Sequence, residues 1–109
     1  MATPTLDAIG IVVSDMAAAL KFYRLLGLDL PARVKADEDH VEAKSVGGVR
    51  VMLDTEALAK KLTPKWVKPK GQRIGLAFLC ASPKEVDKLY AKVVKAGFQG
   101  AKEPWDAFW

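Results

Sequence analysis

The stretch LDAIGIVVSDMAAALKFYRLLGL, residues 6–28, decides the fold. Its first half alternates, with Leu6, Ala8, Gly10 and Val12 on one face of an extended chain and Asp7, Ile9, Ile11 and Val13 on the other. Successive side chains of a strand point to opposite faces, so the bulky β-branched set belongs on a core and the small set on an open surface. Asp15 offers an acceptor to the free amides of a helix start, and Ala19, Phe22, Tyr23 and Leu26 recur at helical spacing. Gly27 suits the left-handed residue that stops a helix, with Leu28 as its apolar partner.

The unit occurs twice. Residues 73–98, RIGLAFLCASPKEVDKLYAKVVKAGF, repeat the order strand, cap, helix, glycine, and Ile9, Ile11 and Val13 superpose on Leu76, Phe78 and Cys80. Arg73, Gly75, Ala77 and Leu79 then share one face, and Ile74, Leu76, Phe78 and Cys80 the other. Ser82-Pro83-Lys84-Glu85 reads as a capping box with proline in the first turn, which predicts a helix over 83–96 with Val86, Leu89, Tyr90, Val93 and Val94 as its apolar stripe.

Three short extended segments are expected between the units, over 30–36, 40–46 and 49–55. An acidic turn, Asp37 to Asp39, separates the first two, and Gly47-Gly48 reads as a two-residue hairpin between the last two. The last segment sets Val49, Val51 and Leu53 on one face and Arg50, Met52 and Asp54 on the other. Residues 56–72 form a connector in which EALAKKL makes a short helix and Pro64 and Pro69 prevent a longer one. Trp66 sits there among lysines, open to packing over the sheet or to touching a ligand.

Composition sets the outer limits. The chain has 109 residues, half of them apolar, enough for one core. Its single cysteine, Cys80, excludes an internal disulfide and reads as a small buried hydrophobe in a reducing compartment. No run is long and apolar enough for a membrane helix and no basic leader precedes an apolar stretch, so a cytoplasmic protein without a membrane partner is expected. The net charge is +4, but six of the 17 bases and one of the 13 acids lie in 56–73, which leaves the remainder near neutral. A basic connector of this kind is a solvated segment rather than a nucleic-acid surface. There is no glycine-rich phosphate loop, Ser-His-Asp arrangement or CxxC spacing.

His40 is the only histidine. It reads first as an exposed turn residue; with Glu42 on the same face it also forms a possible acid/base pair.

Taken together, IGIVVSDMAAALKFYRLLGL, the Gly-Gly hairpin, the offset repeat beginning RIGLAFLCAS and the closing EPWDAFW resemble the vicinal oxygen chelate superfamily, the glyoxalase, bleomycin resistance and dioxygenase group. The resemblance covers essentially the whole chain. It implies an α+β fold of two βαβββ modules whose curled mixed sheet forms a cup, with helices on the convex side. Residues 1–109 are then one domain: a first module over about 5–55, the connector 56–72 and a partial second module over about 73–109. The second module stops about two strands short of the family pattern, so either the chain is a fragment or a partner covers the open edge. A homodimer with exchanged modules or a paired C-terminal edge is expected.

The resemblance also implies a divalent metal on the concave face, acting as a Lewis acid on substrate oxygens. The positions where it places ligands hold Ala8, Met52 and Gly75, none of which binds a hard or borderline cation. The reading preferred is therefore a metal-free binding module with no cofactor. Its cup holds a partly aromatic small molecule against Trp105, Phe108 and Trp66, over a floor of Ala8, Met52 and Leu79, with Arg73 or a connector lysine meeting any anionic group. The alternative is a metal-dependent lyase, isomerase or dioxygenase whose ligands come from a missing segment or a partner subunit. The further donors His40, Glu42, Asp54, Asp7 and Glu103 do not converge by strand parity.

Overall fold

The computed structural model describes residues 3–43, 47–71 and 74–106. The chain divides into two compact units, Met1–Lys70 and Gly71–Trp109.

In the first unit the order is β1 (Ala8–Val13), α1 (Met16–Leu25), β2 (His40–Glu42), β3 (Arg50–Thr55) and α2 (Glu56–Leu62). The sheet order is β1-β3-β2. β1 and β3 run parallel, with Ala8 opposite Arg50 and Val13 opposite Thr55. Parallel neighbours require a crossover, and α1 lies within it. One face of the sheet is the core: Leu53 and Val41 are buried with Leu20, Leu30 and Ala43, and Ile11, Val13 and Val51 pack against them. The parity read from residues 6–13 is the one observed.

α1 begins where Asp15 accepts a hydrogen bond from the Ala18 amide at 3.1 Å. It ends where Gly27 takes a left-handed φ of 96°. The Leu28 amide then bonds back to the Tyr23 carbonyl at 3.1 Å, and Leu28 joins the core. The buried stripe is centred on Leu20, with Met16, Ala19 and Tyr23 beside it. This corrects the expected stripe through Phe22 and Leu26 by a fraction of a turn; Phe22 instead meets the Tyr23 ring edge-on, centroids 5.1 Å apart.

Residues 30–36 are not a strand. Leu30 is buried and Val34 half-buried, so two anchors hold the segment on the core while Pro31 removes a ladder donor. The hairpin differs from expectation by one residue. His40 pairs with Asp54, Val41 with Leu53 and Glu42 with Met52, so the register is centred on Gly47 rather than on the Gly47-Gly48 bond. The connector forms α2 as expected, with Thr55 capping the Leu58 amide at 3.2 Å.

In the second unit α3 (Pro83–Lys95) begins on Ser82, whose hydroxyl accepts from the Glu85 amide at 3.3 Å. No residue of α3 is buried: Leu89, Tyr90 and Val93 are half-buried, and Val86 and Val94 are exposed. Residues 74–80, expected as a strand, lie in no ladder among the described residues. Only Phe78 and Cys80 of the face expected to point inward are half-buried. A strand gains stability from neighbours that satisfy its backbone, and no second strand occurs among the described residues of this unit.

Leu53→Ala should lower the unfolding free energy of the full chain by about 2–5 kcal/mol in urea denaturation, because the side chain has no exposed surface. Leu6→Ala, at a position 69% exposed, should change it by less than about 0.5 kcal/mol.

Candidate functional site

The hairpin register decides which side chains meet on the sheet face away from the core. Directly opposed residues share a face. Arg50, Met52 and Asp54 of β3 therefore stand between Ala8, Gly10 and Val12 of β1 and His40 and Glu42 of β2. A side chain on Gly10 would meet the Met52 methyl at 3.7 Å, so these positions form a low, apolar floor.

Beside that floor runs a continuous chain of charges. The His40 Nδ1 contacts Asp54 Oδ1. Its Nε2 lies 2.8 Å from Glu42 Oε2. Arg50 Nη1 donates to Glu42 Oε1 at 2.7 Å, and its Nη2 donates to Asp7 Oδ2 at 2.6 Å. With a carboxylate at each ring nitrogen, the imidazole is favoured as the doubly donating cation. The hydrogen bonds to Glu42 and then Asp54 raise the His40 pKa above its usual 6.5. The same contact with His40, then Arg50, lowers that of Glu42. Asp7 and Glu42 likewise hold the Arg50 guanidinium in its charged form.

His40, Glu42, Asp54 and Asp7 are thus linked in a row, through one another and through Arg50, rather than gathered about one point. A one-residue change of register moves a whole strand's side chains to the other face. A hairpin centred on the Gly47-Gly48 bond sends His40 and Glu42 toward the core; the observed register turns them to Asp54 and Arg50. Arg50 was not singled out from sequence, although its alternation with Met52 and Asp54 was visible there.

These residues do not suit a divalent ion. Ala8 and Met52 stand at two of the positions where the family resemblance places metal ligands, and Gly75, at the third, has no side-chain donor. Among the described residues no three of His, Cys, Asp and Glu are grouped to hold a metal. The carboxylates on this face already bond Arg50 and His40, which a dication would have to displace.

Of the other residues expected to bind a ligand, Trp66 belongs to the first unit and Leu79 and Trp105 to the second. Trp66 lines a shallow hollow of the first unit with Val12, Ser14, Glu56, Lys68 and Pro69. There Lys68 pairs with Glu56 at 3.1 Å. Leu79 and Trp105 line an open hollow of the second unit with Phe78 and Pro104. Lys102 Nζ stands 3.7 Å from the centre of the Trp105 ring. Arg73 and Phe108 lie outside the described residues.

Residues 5–109 match the Glyoxalase/Bleomycin resistance protein/Dioxygenase superfamily, and the chain belongs to it. Among solved structures, a glyoxalase/bleomycin resistance protein/dioxygenase from Nocardioides is 25% identical, with a TM-score of 0.71 over 100% of this chain and 72% of that one. The hypothetical protein SA1046 from S. aureus is 18% identical, with a TM-score of 0.76 over 99% of this chain and 81% of that one. No curated protein matches. The α+β fold with a small, unclosed mixed sheet is that of the superfamily. No helix among the described residues is long and apolar enough to cross a membrane.

The charge chain gives a pH dependence with a definite sign. A histidine whose pKa is raised by folding stabilises the fold fully below its unfolded value, and the contribution is lost as pH rises through the folded one. A carboxylate whose pKa is lowered contributes above its unfolded value and loses the contribution as pH falls through the folded one. The stabilisation from this pair is therefore largest between the ordinary Glu and His values, 4.5 and 6.5. The melting temperature of the full chain should exceed that of His40→Gln most clearly near pH 6, and the difference should shrink by pH 9.

Proposed function

We propose that the chain is a metal-free member of the superfamily that binds a partly aromatic small molecule. The observation that carries this reading is the composition of the outer sheet face: Ala8, Gly10 and Met52 provide a low apolar floor with no hard ligand atom, bordered by His40, Glu42 and Arg50. Such a surface accepts a flat body by apolar contact and orients it by a few polar groups at one side. The remaining contacts are proposed from the sequence. Trp66 supplies an aromatic face beside Val12, and Leu79, Trp105 and Phe108 supply further apolar and aromatic surface. Arg73 or a connector lysine meets an anionic substituent.

In this reading residues 1–109 belong to one domain, with about 5–55 as first module, 56–72 as connector and about 73–109 in the second module. The protein works in the cytoplasm, in keeping with its single cysteine. It works as a homodimer, with exchanged modules or a paired C-terminal edge; Ile74, Leu79 and Trp105, at 81%, 101% and 55% exposure, are apolar surface that a second copy can cover.

The test is a panel of small aromatic acids and neutral aromatics, read by tryptophan emission and by melting temperature of the full chain. Binding should quench emission and raise the melting temperature with ligand concentration, as linkage requires. Ala8→Phe, which fills the floor, should abolish the melting shift, and Trp105→Ala should reduce the quenching. A panel with no effect on either signal would overturn the reading. So would stoichiometric uptake of Zn, Mn, Ni or Fe that protects the chain against thermal unfolding.

A further inference from the structure

The two oxygens of Glu42 are received by two different cations. Oε1 accepts from Arg50 Nη1 at 2.7 Å, and Oε2 lies 2.8 Å from His40 Nε2. Each cation is held from behind by another carboxylate: Asp7 takes the second Arg50 nitrogen, and Asp54 takes His40 Nδ1. The donors therefore remain aimed at one place if Glu42 leaves it. Glu42 is the last residue of a three-residue strand and its side chain is exposed, so rotation about its own bonds can carry the carboxylate into water without unpairing the sheet.

From this geometry we infer that Arg50 and His40 form a carboxylate-binding fork that Glu42 occupies as an internal placeholder, and that the ligand class is a small organic carboxylate. Glu42 stands opposite Met52 and Arg50 stands opposite Ala8, so a carboxylate in the fork places the rest of its molecule over Ala8, Gly10 and Met52. An aryl carboxylate matches both parts. The inference rests on the binding reading above and names the ligand class and the anchoring residues of that site.

Glu42 stays tethered and competes with the ligand, and Asp7, Asp54 and Asp39 remain nearby, so the intact fork binds weakly and the affinity falls with salt. Asp39 already accepts the Thr55 hydroxyl at 2.7 Å, which holds it off the fork. Binding requires His40 as a donor at Nε2 while Asp54 keeps Nδ1, so it weakens as pH rises and the imidazolium is lost.

Because His40 is the only histidine, its ring signals in NMR report the fork without ambiguity. The experiment titrates His40 in the full chain and in Glu42→Ala and Glu42→Gln, with added acetate, benzoate or chloride at equal ionic strength. Emptying the fork should lower the His40 midpoint. Benzoate should restore it more effectively than acetate, and chloride should not restore it. Adding Arg50→Gln to Glu42→Ala should weaken the benzoate response about tenfold or more, since a charge-assisted hydrogen bond is lost. Glu42→Gln keeps the side-chain shape if the alanine variant folds poorly. If His40 ignores both carboxylates in the two Glu42 variants, or responds equally without Arg50, the fork is refuted. If benzoate still shifts the wild-type melting temperature, only the fork falls; if it and the whole aromatic panel are without effect, the binding reading falls with it.

Discussion

The constraint on which the site depends is the pairing of β2 with β3, which sets His40 against Asp54 and Glu42 against Met52. β2 has only three residues, and the side-chain period of a strand is two. A slip of one residue would bury His40 and Glu42 in the core and expose Val41, which is 5% exposed in the observed register. The burial of Val41 and Leu53 therefore fixes the register, and the register assembles the charge chain on the opposite face. Packing on one side of the sheet determines the chemistry on the other.

That division also accounts for the character of the outer face. Ala8, Gly10 and Met52 contribute neither charge nor a hard ligand atom, whereas Asp7, Glu42, Asp54, His40 and Arg50 satisfy one another in pairs. Exposed ion pairs contribute little stability individually. Their effect here is positional, since each cation is bonded by two carboxylates and has few free orientations. The binding role proposed above calls for such an arrangement, with polar groups at one edge of an apolar body.

Much of the fold was legible in the sequence because local signals agreed with one another. The parity of residues 6–13, the Asp15 and Ser82 caps and the glycine stops all follow from chain geometry within a few residues, and each was read correctly. The features that were not legible depend on distant partners. The stripe of α1 turns toward Leu20 because the core lies there. Residues 30–36 and 74–80 have strand-like composition but no ladder among the described residues, and composition cannot supply a neighbour. The charge chain was not legible for the same reason: Arg50 and Asp54 were visible as one face of a strand, but only the register says whether His40 and Glu42 join them.

The most direct measurement is therefore of the register itself, by NMR of the full chain. The Ala43 amide bonds the Val51 carbonyl at 2.9 Å and the Thr55 amide bonds the Asp39 carbonyl at 2.9 Å, which makes His40–Asp54 and Glu42–Met52 the non-hydrogen-bonded pairs. In such pairs the α-carbons approach to about 4.5 Å. Strong Hα–Hα cross peaks are expected between His40 and Asp54 and between Glu42 and Met52. Cross peaks from Val41 to Asp54 and from Ala43 to Met52 in their place would contradict the account, because His40 and Glu42 would then lie on the other face of the sheet from Arg50.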